Sequence, residues 1–112
     1  MRIWIVATGE PWPTDEGRPR LLRAGILASY CAARGDTVTW WNTTFDHRRR
    51  QDRFGRDVVH EDVSGVSIRG LYALTPYSRA VSLDRIVNHI QVGRAFQRQV
   101  AGLEPPDVIL VC

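Results

Sequence analysis

Apolar positions along this chain follow two rhythms. Residues 2–8 (RIWIVAT) and 108–112 (VILVC) are nearly continuous apolar runs rich in β-branched residues, the pattern of strands buried on both faces. Residues 36–41 (DTVTWW) alternate polar and apolar and read as a further strand. Between the first two strands, Leu21, Leu22, Gly25, Ile26, Ser29, Tyr30 and Ala33 recur at helical spacing. Pro19 falls in the first helical turn and Gly35 caps the far end. Strand, helix, glycine turn and strand make a βαβ unit, whose right-handed crossover lays the two strands parallel in one sheet.

Residues 42–56 break the rhythm: they are polar, charged and aperiodic, and predict a surface loop. Residues 57–63 and 66–71 flank Ser64-Gly65 and predict a β-hairpin. A loop over 72–81 leads to Ser82, an N-cap residue, and to a long helix marked by Leu83, Ile86, Val87, Ile90, Phe96 and Val100. Glu104-Pro105-Pro106-Asp107 ends that helix before the last strand. The pattern gives one α/β domain over residues 1–112, a Rossmann-like parallel sheet with a β-hairpin. A buried parallel strand normally feeds a further helix, so the reading expects the amino-terminal part of a larger protein, with later elements covering the last strand.

Composition narrows the function classes. No apolar run approaches the roughly 18 residues of a membrane helix, and the amino terminus lacks a signal-peptide core; a cytoplasmic location is expected. The net charge is +3, and all fifteen basic residues are arginine. A total lack of lysine reflects a compositional bias, so the choice of arginine does not itself argue for phosphate contacts. Cys31 and Cys112 offer neither metal spacing nor a disulfide framework, and Cys31 reads as a small buried apolar residue.

The candidate chemistry concentrates in two stretches. Residues 8–20 (TGEPWPTDEGRPR) follow the first strand but match neither the dinucleotide fingerprint nor the P-loop. The stretch still lies at the carboxyl end of a strand, where open α/β sheets bind ligands, and Arg18 near a helix start suits an anion. The alternative is a solvated turn. Residues 45–56 (FDHRRRQDRFGR) are basic, but Asp46, Asp52 and Asp57 interrupt the charge, and no recognition helix or stacking platform supports nucleic acid. A solvated loop, an anionic membrane surface or a phosphorylated substrate remain for that stretch. His47, His60 and His89 lie on different elements, which disfavours a metal. His47, just past the second strand, can face the cleft beside the first loop, whereas His60 and His89 read as structural or exposed. Asp15-Glu16 offers either a base or a charged loop tip.

The order of these pieces resembles the start of the family-4 retaining glycosyltransferases of GT-B architecture, notably the subgroup that builds bacterial surface polysaccharides. The likeness rests on the opening strand, the Arg18-Pro19 pair, the helix end AARGDTVTWW, the stretch TTFDHRRR, the hairpin EDVSGVSIRGL, RIVNH and PPDVILVC. It spans this whole chain but only about the first third of such an enzyme, whose donor-binding domain with its E-x7-E pair has no counterpart here. The resemblance implies the acceptor-side domain of a hexosyltransferase working between a nucleotide-sugar and a glycan or polyprenyl-linked acceptor, in the cytoplasm or peripheral at the inner membrane face, with no metal and no separate cofactor. It implies substrate contacts by Gly17, Arg18, Arg20 and His47. The family's frequent Gly-Gly pair is Glu16-Gly17 here. Other readings are a non-catalytic acceptor-binding subunit completed by a separate donor-type chain, and a generic Rossmann-like nucleotide-binding domain.

Overall fold

The computed structural model describes residues 1–17, 19–46, 48–76 and 82–112. Its strands are β1 (Arg2–Val6), β2 (Thr37–Thr43), β3 (Phe45–Asp46), β4 (Gln51–Asp52), β5 (Val58–Glu61), β6 (Ser67–Leu71) and β7 (Val108–Val111). Its helices are α1 (Arg23–Ala33), between β1 and β2, and α2 (Leu83–Val100), between β6 and β7. The main sheet has the order β5-β6-β2-β1-β7, and β3 pairs with β4 separately. β1 runs parallel to β2 and to β7, and β2 parallel to β6; only β5 is antiparallel, against β6. The parallel βαβ unit and the hairpin over 57–71 thus form as the sequence predicts.

Alternation along β1 sorts the core into two layers. Ile3 and Ile5 pack with Trp40, Ile68, Ala24, Ala28 and Cys31 on the α1 side. Trp4 packs with Trp41, Leu71, Val92 and Ala95 on the α2 side. Trp4, Trp41 and Phe96 meet edge to face, with centroids 4.9–6.4 Å apart.

The helices bury a different stripe from the one their large apolar residues predict. α1 turns Ala24, Gly25, Ala28 and Cys31 to the sheet, while Leu22, Ile26 and Tyr30 are exposed. α2 buries Asn88, Val92 and Ala95, and leaves Leu83, Ile86, Val87 and Ile90 exposed. Volume explains this. Each sheet face already carries tryptophan rings, and small helical residues must oppose large ones for the layers to close.

The last strand, β7, stands at the sheet edge, where Val108, Ile109 and Val111 are exposed and Leu110 alone packs against the core, the apolar surface that the sequence expects further elements to cover. One stretch differs from expectation. The stretch 42–56 is not simply a surface loop. Asn42, Thr43, Thr44, Phe45 and Asp46 are buried, β2 runs on to Thr43, and β3 and β4 form a small hairpin. The side chains of Asn42, Thr44 and Asp46 meet hydrogen-bond partners inside the molecule, which is how a polar stretch can be interior.

Candidate functional site

The carboxyl ends of β1 and β2 carry the 8–20 loop and the β3–β4 hairpin, and these two segments are built around each other. Asn42 is completely buried. Its Oδ1 accepts from the N–H groups of Gly9 (3.1 Å) and Thr43 (2.8 Å), and its Nδ2 donates to the Glu10 carbonyl at 3.0 Å. The Trp40 indole donates to the Ala7 carbonyl (3.1 Å), and the Trp12 indole to the Thr43 carbonyl (3.0 Å). Trp12 is itself fully buried. It lies over Gly70 of β6, where an added Cβ would come within 2.8 Å of both the Trp12 ring and the Thr44 methyl. A glycine is required there because the backbone and the indole approach so closely.

Arg53 closes the arrangement from the hairpin side. Its Nε and Nη2 donate to the two oxygens of Asp15 at 2.7 and 2.9 Å, and its Nη1 donates to the Phe45 carbonyl at 3.0 Å. The guanidinium also sits 5.9 Å from the centre of the Trp12 ring. Partial burial pushes the Asp15 carboxyl up, but the hydrogen bonds from Arg53 and from the Trp12 N–H outweigh it and hold the carboxyl below its ordinary range. Asp15 is therefore neither a base nor a free loop tip; it is the acidic half of a fork-to-fork clamp.

The amino end of α1 is occupied in the same way. The Glu10 carboxylate accepts from the N–H groups of Ala24 and Gly25, each at 3.3 Å. The N-cap, Leu22, has no side-chain bond to offer, so the loop supplies the anion that the helix end favours. α1 begins at Arg23, so Pro19 precedes the helix rather than sitting in its first turn, and the helix end that was to attract an outside anion already holds one.

A cavity of about 360 Å³ opens between loop and hairpin, lined by Gly9, Asp15, Glu16, Asp46, Arg48, Arg49 and Arg53 among others. Asp46 shapes its rim by accepting from the N–H groups of Arg48 (2.9 Å) and Arg49 (3.2 Å), and Arg50, at φ +56°, closes the hairpin tip. Arg49 reaches Glu16 at 3.3 Å. Carboxylates and guanidiniums alternating around a small open cavity suit a ligand rich in hydroxyl groups, which can both donate and accept.

Of the expected contact residues, Gly17 has φ +82° with open space around its Cα, so the backbone there is accessible and glycine is needed for its conformation. Arg20 is exposed and does not line the cavity, although its neighbour Pro19 does. Arg18 and His47 lie outside the described residues. His60 pairs with Asp62 at 3.2 Å, far from this cleft in the fold's topology. Sequence reasoning missed Glu10, Asn42 and Arg53; each lies in a polar stretch and is fixed by a bond to a residue more than ten positions away.

Among the described residues no three His, Cys, Asp or Glu side chains gather as a metal site, and no helix is long and apolar enough to cross a membrane. Comparison with family models, curated proteins and solved structures returns no match for this chain.

Proposed function

We propose that this chain is the acceptor-side, Rossmann-like domain of a GT-B retaining glycosyltransferase, working between a nucleotide-sugar and a glycan or polyprenyl-linked acceptor. The observation that carries the reading is the mixed acid–guanidinium cavity at the carboxyl end of β1, formed by the same two segments, 8–20 and 45–56, that resemble this family. Its position agrees with the rule that open α/β sheets bind ligands beyond the carboxyl ends of their strands. Glu10 weighs against a generic nucleotide-binding domain, because the helix end on which a nucleotide phosphate would rest is filled by a carboxylate of the chain itself.

In this reading Glu16 and Arg49 meet acceptor hydroxyls, Gly17 lets the ligand approach the backbone, and Arg18, Arg20 and His47 add polar contacts around it. Stabilisation of the departing diphosphate falls to a donor-side domain, on this chain or on a partner chain. The test is a titration of the isotope-labelled chain with a water-soluble prenyl-diphosphate-linked sugar and, separately, with a nucleotide-sugar. The acceptor analogue is expected to shift the amides of Glu16, Gly17 and Arg49 while the nucleotide-sugar does not. Tight binding of the nucleotide-sugar alone, without response to the acceptor analogue, would overturn the assignment.

A further inference from the structure

A second cavity, of about 270 Å³, lies on the other face of the sheet. The alternation that puts Trp4 and Trp41 on the α2 side continues to Thr8 and Thr43, and both line it. Its opposite wall is the first two turns of α2, with Arg85, Asn88 and His89. None of these three is among the contact residues expected from the sequence.

The chemistry of this cavity is unlike that of the first. Among the described residues no carboxylate lines it; the polar groups are a guanidinium, an imidazole, a carboxamide and two hydroxyls. Two hydrogen bonds tie the wall down: Ser82 caps α2 by accepting from the Arg85 N–H at 3.2 Å, and Asn88 donates to the Thr75 carbonyl at 2.7 Å. Arg85 Nε donates to His89 Nε2 at 3.2 Å, so the two side chains stand together on this wall. The Thr43 hydroxyl is buried, in a residue only 7% exposed, and finds no hydrogen-bond partner among the described residues. A buried hydroxyl without a partner is costly, and groups of this kind are kept where a ligand or water completes them.

We infer that the Thr8–Thr43–Arg85–His89 cavity is a binding site for a phosphate-class oxyanion, separate from the acid–guanidinium cavity. The positive amino end of α2 and the Arg85 charge favour the anion, and the lack of any carboxylate removes the repulsion that Asp15, Glu16 and Asp46 would exert next door. The volume suits a phosphate or a sugar phosphate rather than a whole dinucleotide. This inference does not depend on the glycosyltransferase reading.

The test follows backbone amide shifts of the labelled chain at constant ionic strength, with chloride as the reference anion. Inorganic phosphate, a hexose 1-phosphate and anionic phospholipid vesicles serve as separate probes, distinguishing a free phosphate, a sugar phosphate and a lipid headgroup. Saturable shifts at Thr8, Thr43 and His89 are expected for at least one probe. Arg85→Gln should weaken that binding at least about tenfold, as the loss of one charge-assisted contact does, whereas Arg98→Gln, farther along α2, should not. Thr43→Val separates ligand binding from folding, because it should weaken binding several-fold while leaving thermal stability unchanged or raised. Shifts centred on Arg48–Arg50, or binding indifferent to both Arg85→Gln and Thr43→Val, would overturn the site; so would the absence of saturation with all three probes.

Discussion

Arg53 is the residue whose removal should do most to separate the loop from the hairpin. Its side chain is 13% exposed and that of Asp15 is 15% exposed, and two short bonds join them. Arg53→Met keeps much of the aliphatic volume but strands a largely buried carboxylate and takes a donor from the Phe45 carbonyl. Breaking a fully buried pair by removing one partner costs about 3–5 kcal/mol, whereas exposed pairs are worth about 0–1 kcal/mol. This pair stands nearer the buried limit but reaches the surface at the cavity, which gives a loss of about 3 kcal/mol. With a urea slope of about 1.5 kcal/mol/M for a domain of this size, the unfolding midpoint should fall by about 2 M.

A double-mutant cycle with Asp15→Asn isolates the pair itself, since the double variant leaves no Asp15 charge stranded and the longer Arg53–Asp46 contact (3.9 Å) is lost equally in both Arg53 variants. The coupling should exceed about 1 kcal/mol, and the double variant should be more stable than Arg53→Met alone. A single-variant loss below about 1 kcal/mol, with coupling under about 0.5 kcal/mol, would show that the clamp behaves as an ordinary surface ion pair and that the cavity wall is held by Trp12 and Asn42 instead.

Other expectations follow from neighbouring contacts. Because the folded-state Asp15 carboxyl lies below the ordinary 3.8, its stabilisation is complete above that value and is lost as pH falls through the folded value. The stability gap between the wild type and Asp15→Asn should therefore hold steady from neutral pH to about pH 5 and shrink below about pH 4; a gap indifferent to acid would contradict the pairing. Gly70→Ala drives a methyl into the Trp12 ring and should cost about 2 kcal/mol, with the Trp12 indole N–H resonance displaced in NMR spectra. Glu10→Ala removes the anion at the start of α1 and should cost about 1 kcal/mol. Faster amide exchange at Ala24 and Gly25 would report that loss locally, and unchanged exchange would place the cap elsewhere.

What was legible in the sequence follows from what is local. The strand Arg2–Val6, the turn at Ser64-Gly65 and the Ser82 cap rest on neighbours within a few residues, and the parallel pairing of β1 with β2 follows from the strand–helix–strand order through α1. The buried faces of the helices were not legible, because the stripe a helix buries depends on the size of what it meets. The tryptophans that set that size sit on other elements. Polar stretches misled for the same reason. Asn42 and Arg53 look solvent-seeking until the fold brings Gly9, Glu10 and Asp15 within reach.

The loop after β1 divides by how its charges are used. From Ala7 to Asp15 every anchor is internal: Trp40 holds Ala7, Asn42 holds Gly9 and Glu10, α1 takes the Glu10 carboxylate, and Arg53 takes Asp15. Neither of the first two acids of this loop is then available to a ligand, and recognition passes to groups beyond them. On the α1 side these are Glu16, the backbone at Gly17 and the hairpin arginines; on the α2 side they are Arg85, His89 and the Thr43 hydroxyl. Gly9 lines both cavities, at φ +86° with its N–H fixed by Asn42. A side chain at that position would be strained. The glycine that begins the loop thus serves not as a phosphate turn but as the point shared by the cavity proposed to meet hydroxyl groups and the one proposed to hold an oxyanion.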